Sequence, residues 1–197
     1  PTIAILGGTG EQGPGLAMRW AQAGYDVIIG SRQAEKAQRV ASELNVRLGA
    51  DPCCAGSIRG MDNATAAASC DVAAITVPYE AQNVLLEGLR ATLQGKVLID
   101  VNVALKPPKV ARVYVPPEGS AAEQAQAVLG EGVIVVGAFQ NVSADRLADL
   151  DSPIDCDVLV CGDDRAAKRL AIGLAEAIGM RGIDAGPLTN AKAVEAM

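Results

Sequence analysis

"TIAILGGTGEQG", residues 2–13, sets an apolar run of strand length directly against a glycine-rich turn. Gly8, Gly10 and Gly13 stand in the spacing G-x-G-x-x-G. In that spacing the first glycine permits a tight turn after a strand and the second lets the backbone approach a diphosphate. The third lets the next helix pack closely on the strand. The pattern is weak alone and takes its meaning from its flanks. Residues 11–24 carry Leu16, Ala17, Trp20 and Ala21 at helical spacing and close on Gly24, and "DVIIG" (26–30) is a second apolar strand. Strand, glycine turn, helix and strand in this order predict a dinucleotide site, with the diphosphate at the N-terminus of the helix.

The alternation continues outward. The spacing predicts a helix over 33–48, a weaker strand near 54–58, a strand in "DVAAITVP" (71–78), a helix over 80–94 and a strand in "KVLIDV" (96–101). The unbroken apolar character of 71–78 suits a parallel strand buried on both faces. Residues 102–120 hold four prolines and read as a long loop before a helix at 121–130 and the strand "GVIVVGAF" (132–139). "DCDVLVCGDD" (155–164), a helix over 165–179, "RGIDAG" (181–186) and a helix from Pro187 repeat the theme. The expected fold is α/β: a Rossmann-type doubly wound parallel sheet with a small C-terminal α/β extension. Residues 1–139 form the dinucleotide-binding domain and 140–197 the extension packed on it. The last helix is short for one that begins with proline, so more chain is expected after it.

Composition excludes several classes. A net charge of −6 argues against a nucleic-acid surface, which needs clustered basic residues. No apolar run reaches the roughly 18 residues of a membrane span, and no leader pattern is visible, so a cytoplasmic protein is expected. Pro1 and Thr2 fit removal of an initiator Met. Five cysteines form no metal pattern: Cys53 and Cys54 are adjacent, and Cys70, Cys156 and Cys161 lie in or beside apolar runs, as buried thiols do. The chain has no histidine. The commonest general base and any Ser–His or Cys–His pair are therefore absent. Redox chemistry here must need little acid–base help, or use Lys or Tyr.

The end of the second strand carries Ser31 and Arg32, with Lys36 one helical turn on, where an NAD-preferring site places a carboxylate for the ribose 2′-hydroxyl. A hydroxyl and two cations suit a 2′-phosphate, because charge-assisted hydrogen bonds are about twice as strong as neutral ones. NADP is therefore expected. The rest of the dinucleotide should cross the sheet at its switch point and meet the ends of the next strands, at Thr76, Val77 and Pro78 and at Val101 and Asn102. Pro78 reads equally well as a structural turn residue.

The chain resembles the F420-dependent NADP oxidoreductases over essentially its whole length. The resemblance rests on "LGGTGEQGPGLA" (6–17), "IIGSRQAEKA" (28–37), "VPYE" (77–80), "EGSAAEQ" (118–124), "AFQNVSA" (138–144), "DVLVCGDD" (157–164) and "DAGPLTNAKAVEAM" (184–197). It implies a homodimer that moves a hydride between NADP(H) and the deazaflavin coenzyme F420. Phosphate binding would fall on Thr9, Gly10, Glu11 and Gln12, and the 2′-phosphate on Ser31, Arg32 and Lys36. Some members have a histidine where this chain has Gln140. The extension 140–197 would then form part of the acceptor site.

Hydride transfer between two rings forms no alkoxide, which accommodates the missing histidine. No single catalytic residue is expected, since positioning alone can contribute about 7–11 kcal/mol. Thr76, Val77 and Pro78 would lie under the nicotinamide, and Val101, Asn102, Gln140 and Asn141 near the acceptor. Gln140 and Asn141 read equally as caps of a strand end. Lys106, Lys109 and Arg112 form a basic loop that suits either solvent or the anionic tail of F420. The rival readings are an NADPH-dependent flavin or ferric reductase and a non-catalytic NADPH sensor.

Overall fold

Ile3–Leu6 are fully buried and alternate between the two faces of a sheet, Ile3 and Ile5 toward one core, Ala4 and Leu6 toward the other. This is the signature of a central parallel strand covered by helices on both sides. The structure, a computed structural model, describes residues 1–49, 56–105 and 114–197. Within them β1 (Ile3–Leu6), α1 (Gln12–Gln22), β2 (Val27–Ser31), α2 (Ala34–Leu48), β3 (Ile58–Asp62) and α3 (Asn63–Ala68) form the first half. Next come β4 (Val72–Ile75), α4 (Tyr79–Leu89), β5 (Val97–Asp100), α5 (Ala121–Leu129) and β6 (Ile134–Gly137). The chain ends with α6 (Ala144–Ala148), β7 (Asp157–Gly162), α7 (Arg165–Glu176), β8 (Arg181–Asp184), a 3₁₀ turn (Leu188–Asn190) and α8 (Ala191–Val194).

The strands form one sheet in the order β3-β2-β1-β4-β5-β6-β7-β8. The order reverses between β1 and β4, the switch point at which such sheets bind ligands. Local chemistry sets the helix starts. Asp62 accepts from Thr65 N at 2.9 Å, Ser120 from Glu123 N at 3.0 Å and Asp164 from Ala167 N at 2.7 Å, capping α3, α5 and α7. One core holds the edge-to-face pair Trp20 and Phe139, with centroids 5.7 Å apart.

Three details differ from the expectation. The third strand lies at Ile58–Asp62 rather than near 54–58, and α3 follows it at once. Arg59, Gly60 and Asp62 interrupt the apolar pattern that marks strands elsewhere; Gly60 is there because a Cβ would lie 2.2 Å from the α2 backbone at Ala37. The β6–β7 pair is antiparallel, joined only through Val136↔Gly162 and Gly137↔Cys161, within an otherwise parallel sheet. The segment from Pro187 is a 3₁₀ turn and a single α turn rather than one continuous helix. Residues 50–55, which include Cys53 and Cys54, and the basic loop of Lys106, Lys109 and Arg112 lie outside the described residues.

Candidate functional site

The glycine turn leaves β1 at Gly7, whose φ is +74° and whose N–H donates to Asn63 Oδ1 at 3.1 Å. Gly8 N donates to Ile5 O and Gly30 O, which knots the turn between β1 and β2. The motif glycines do not all lack a side chain for the same reason. A Cβ on Gly8 would meet Ile5 O at 2.8 Å, and one on Gly13 would meet Gly8 O at 2.5 Å, so both serve close packing. A Cβ on Gly10 would meet nothing nearer than 3.8 Å, and its φ is not in the left-handed region. The protein itself makes no demand for glycine at 10; a ligand backed against that turn would.

α1 begins beyond this turn with no side-chain cap and no acidic residue in its first turn. Its first N–H groups, at Gln12 and Gly13, therefore suit an anion. The side chain of Gln12 does something else: its Nε2 donates to Phe139 O at 3.2 Å and Val142 O at 3.3 Å. Thr9 is half-buried, and Gly10 and Glu11 are exposed at the turn.

At the end of β2, Ser31 is buried, with its Oγ 3.4 Å from Gln33 N, while Arg32 and Lys36 are exposed. Among the described residues neither cation forms an ion pair. Asp62 pairs with Ser31 across β2 and β3, but its carboxylate is engaged by Thr65 N and Thr65 Oγ1, which also hold its pKa down. The acid that stands opposite Ser31 in the sheet is thus a helix cap.

Across the switch point, Thr76 N donates to Leu6 O at 3.0 Å and Thr76 O faces the open side of Gly10. Val77 is half-buried beside Gly7, and Pro78 is the exposed residue that starts α4. Thr76, Val77 and Pro78 are therefore brought together with the glycine turn.

The acceptor-side expectations divide. Val101 and Asn102 are buried. Asn102 donates to Gln82 Oε1 at 2.6 Å, and Gln82 Nε2 donates to Asp100 Oδ2 at 2.8 Å and Ala121 O at 2.9 Å. Burial pushes the carboxyl of fully buried Asp100 up to about 7; Glu195 adds to the rise, while the Asn102 N–H and the Gln82 amide oppose it. This network fixes the end of β5, its side chains bonded to one another.

Gln140 and Asn141 do line one, of about 270 Å³, with Val103, Tyr114, Lys192 and Glu195. Asn141 is tied by its Nδ2 to Asp157 O at 2.8 Å. Gln140 Nε2 donates to Asp100 O at 3.3 Å, and its buried Oε1 has no hydrogen-bond partner among the described residues. Glu195 accepts from Ala121 N and Ala122 N at 2.8 and 3.2 Å, and burial raises its pKa. A larger cavity, about 990 Å³, lies at the other end of β6 and carries Glu118, Glu123, Glu131, Asp163 and Asp164. Its charge does not suit a diphosphate.

Gln82, Glu195 and the side-chain role of Gln12 were not anticipated from sequence. Gln82 left a signal: with Leu86 and Leu89 it occupies the buried stripe of α4, where a polar residue needs a partner.

Fold and glycine turn define a Rossmann-type dinucleotide-binding protein. Residues 2–104 match the family model described as NADP oxidoreductase, coenzyme F420-dependent. The chain is 46% identical over 198 residues to the F420-dependent NADP reductase of Methanothermobacter thermautotrophicus, covering 98% of this chain and 84% of that protein. It is 44% identical over 202 residues to that of Methanocaldococcus jannaschii, covering 99% and 88%. This chain belongs to the F420-dependent NADP oxidoreductase family. A solved structure from Arthrobacter sp. FB24, described as a candidate F420 dependent NADP-reductase, superposes with a TM-score of 0.80 at 26% identity, covering 98% of this chain and 88% of that one.

Proposed function

We propose that this protein is an NADP-dependent oxidoreductase that passes a hydride reversibly between NADP(H) and coenzyme F420. Family membership across nearly the whole chain carries this reading. The site fits both coenzymes: the open side of Gly10 accommodates a diphosphate, and the unpartnered Gln140 Oε1 offers a ring N–H an acceptor. When both are bound, reduced nicotinamide supplies the hydride and the deazaflavin takes it up, with a proton from solvent.

The protein's task is then to bind, orient and exclude water. The N–H groups opening α1, with Thr9, Gly10 and Glu11 in the turn, hold the diphosphate. Ser31, Arg32 and Lys36 hold the 2′-phosphate. Thr76, Val77 and Pro78 back the nicotinamide. Gln140 and Asn141 face the acceptor across the cavity, and Val101 and Asn102 stiffen its floor from behind. No side chain gives or takes a proton at the reacting carbons. In this reading 1–139 is the NADP-binding domain and 140–197 completes the acceptor site.

A cytoplasmic homodimer belongs to the same proposal. Among the described residues no helix is long and apolar enough to cross a membrane. Leu105, Val115 and Met197 are exposed apolar side chains on the cavity rim that a second copy would cover.

The test is absorbance after mixing with NADPH and F420, FMN or a ferric chelate. Turnover with F420 is expected. Turnover only with FMN or iron would replace the reading with a flavin or ferric reductase, and binding of NADPH without turnover would replace it with a sensor. Sedimentation at micromolar concentration should give a dimer; a monomer would remove that part.

A further inference from the structure

We infer that the side chain of Gln12 is a positioning residue for the acceptor rather than a phosphate ligand. This rests on the acceptor-side reading of Gln140 given above. The donor capacity of the Gln12 amide is committed to two carbonyls: its Nε2 lies 3.2 Å from Phe139 O and 3.3 Å from Val142 O. The turn they clamp is closed by Val142 N donating to Phe139 O at 3.2 Å. Phe139 has a φ of +68°, alone among the described non-glycine residues in the left-handed region. A bulky residue persists there only when its surroundings hold it. Two things do: the ring is fully buried edge-on to Trp20, and its carbonyl takes the Gln12 amide. The next residue is Gln140, the one whose Oε1 is buried, unpartnered and at the acceptor cavity. Gln12 thus connects the first turn of the phosphate-binding helix to the aim of Gln140. Any phosphate contact at residue 12 is made by its backbone N–H, which survives a change of side chain.

Gln12→Met keeps length and removes both donors. Three measurements separate the alternatives: NADPH affinity, the KM for F420, and fluorescence of Trp20, the chain's single tryptophan. Loss of the clamp should red-shift Trp20 emission and raise its acrylamide quenching. It should raise the F420 KM about tenfold, and leave the NADPH Kd within about twofold. Gln12→Glu adds a pH signature. A carboxylate facing two carbonyls repels them, whereas the protonated acid donates to one. Asp100 and Glu195 also face the acceptor side and titrate in both proteins, so the signature is the ratio of the variant's F420 KM to that of the unsubstituted enzyme at the same pH, which should fall as pH falls. A parallel loss of NADPH affinity, or unchanged Trp20 emission and F420 KM, would overturn the assignment. If Gln12→Met does not fold, the Gln12→Glu profile decides. Failure of the unsubstituted protein to reduce F420 would instead overturn the proposed function, and Trp20 emission with NADPH affinity would still report on Gln12.

Discussion

Val77 Cγ1 fills the space that a side chain on residue 7 would take: a Cβ built on Gly7 lies 2.1 Å from it. The turn after β1 is therefore nested against the residue that leaves β4. One contact sets the spacing between the diphosphate cradle and the floor assigned to the nicotinamide.

The glycines on either side of Glu11 and Gln12 should respond differently to alanine. Gly10→Ala meets no neighbour within 3.8 Å, so stability should stay within about 0.5 kcal/mol while NADPH binding weakens at least about tenfold. Gly13→Ala drives a methyl to 2.5 Å from Gly8 O and should cost about 1–3 kcal/mol. Urea unfolding and NADPH titration of both variants read this out; equal losses of stability would contradict it.

Arg32→Ala removes one exposed cation that has no ion-pair partner among the described residues. A charge-assisted hydrogen bond of about 1.5–3 kcal/mol corresponds to roughly 10–100-fold weaker NADPH binding, with NADH within about twofold. Calorimetric titration with each nucleotide checks the ratio. Equal weakening of both would remove the 2′-phosphate assignment.

Asp100 makes stability depend on pH in an unusual direction for a carboxylate. Burial raises its folded-state pKa from 3.8 to about 7. Between those values the folded state binds the extra proton, so this group's contribution falls as pH rises from about 4 to 7 and is level above. Asp100→Asn should remove that fall, a difference on the order of a few kcal/mol across the window. Paired denaturation curves at pH 5 and 7.5 measure it.

Arg19 is buried in α1 and donates to the carbonyls of Arg146, Leu147, Asp149 and Ser152. Arg19→Met retains the apolar stem and leaves those carbonyls unpaired, which should destabilise the protein by about 2–4 kcal/mol. The loss should appear in unfolding of the whole chain and in early hydrogen exchange over 144–152.

Much of the fold was readable because buried parallel strands have to be apolar runs: β1, β2, β4, β5 and β6 each coincide with one. β3 departed because its middle is fixed by contact, with Gly60 under Ala37, rather than by hydrophobicity. Ser31, Arg32 and Lys36 could be singled out in the sequence because charge choice at one strand end is local, and the structure places Ser31 buried there with Arg32 and Lys36 exposed beside it. Gln12 and Arg19 were not, because their partners are main-chain carbonyls 127 to 133 residues away, and a carbonyl has no letter in the sequence. Asn102 was singled out by its position at a strand end, and the hydrogen bond its amide makes to Gln82 could not be read there, because Gln82 lies 20 residues away.

The two-residue overlap of β6 and β7 has a consequence for anyone who would recombine this protein. So short a seam leaves the attachment of residues 139–152 mainly to α1: to Gln12, to Gly15 packed against Leu147, to Arg19 and to Trp20. A chimera that took its C-terminal third from a relative would need to bring those four positions with it. The mortise for the last part of the chain is cut within its first twenty residues.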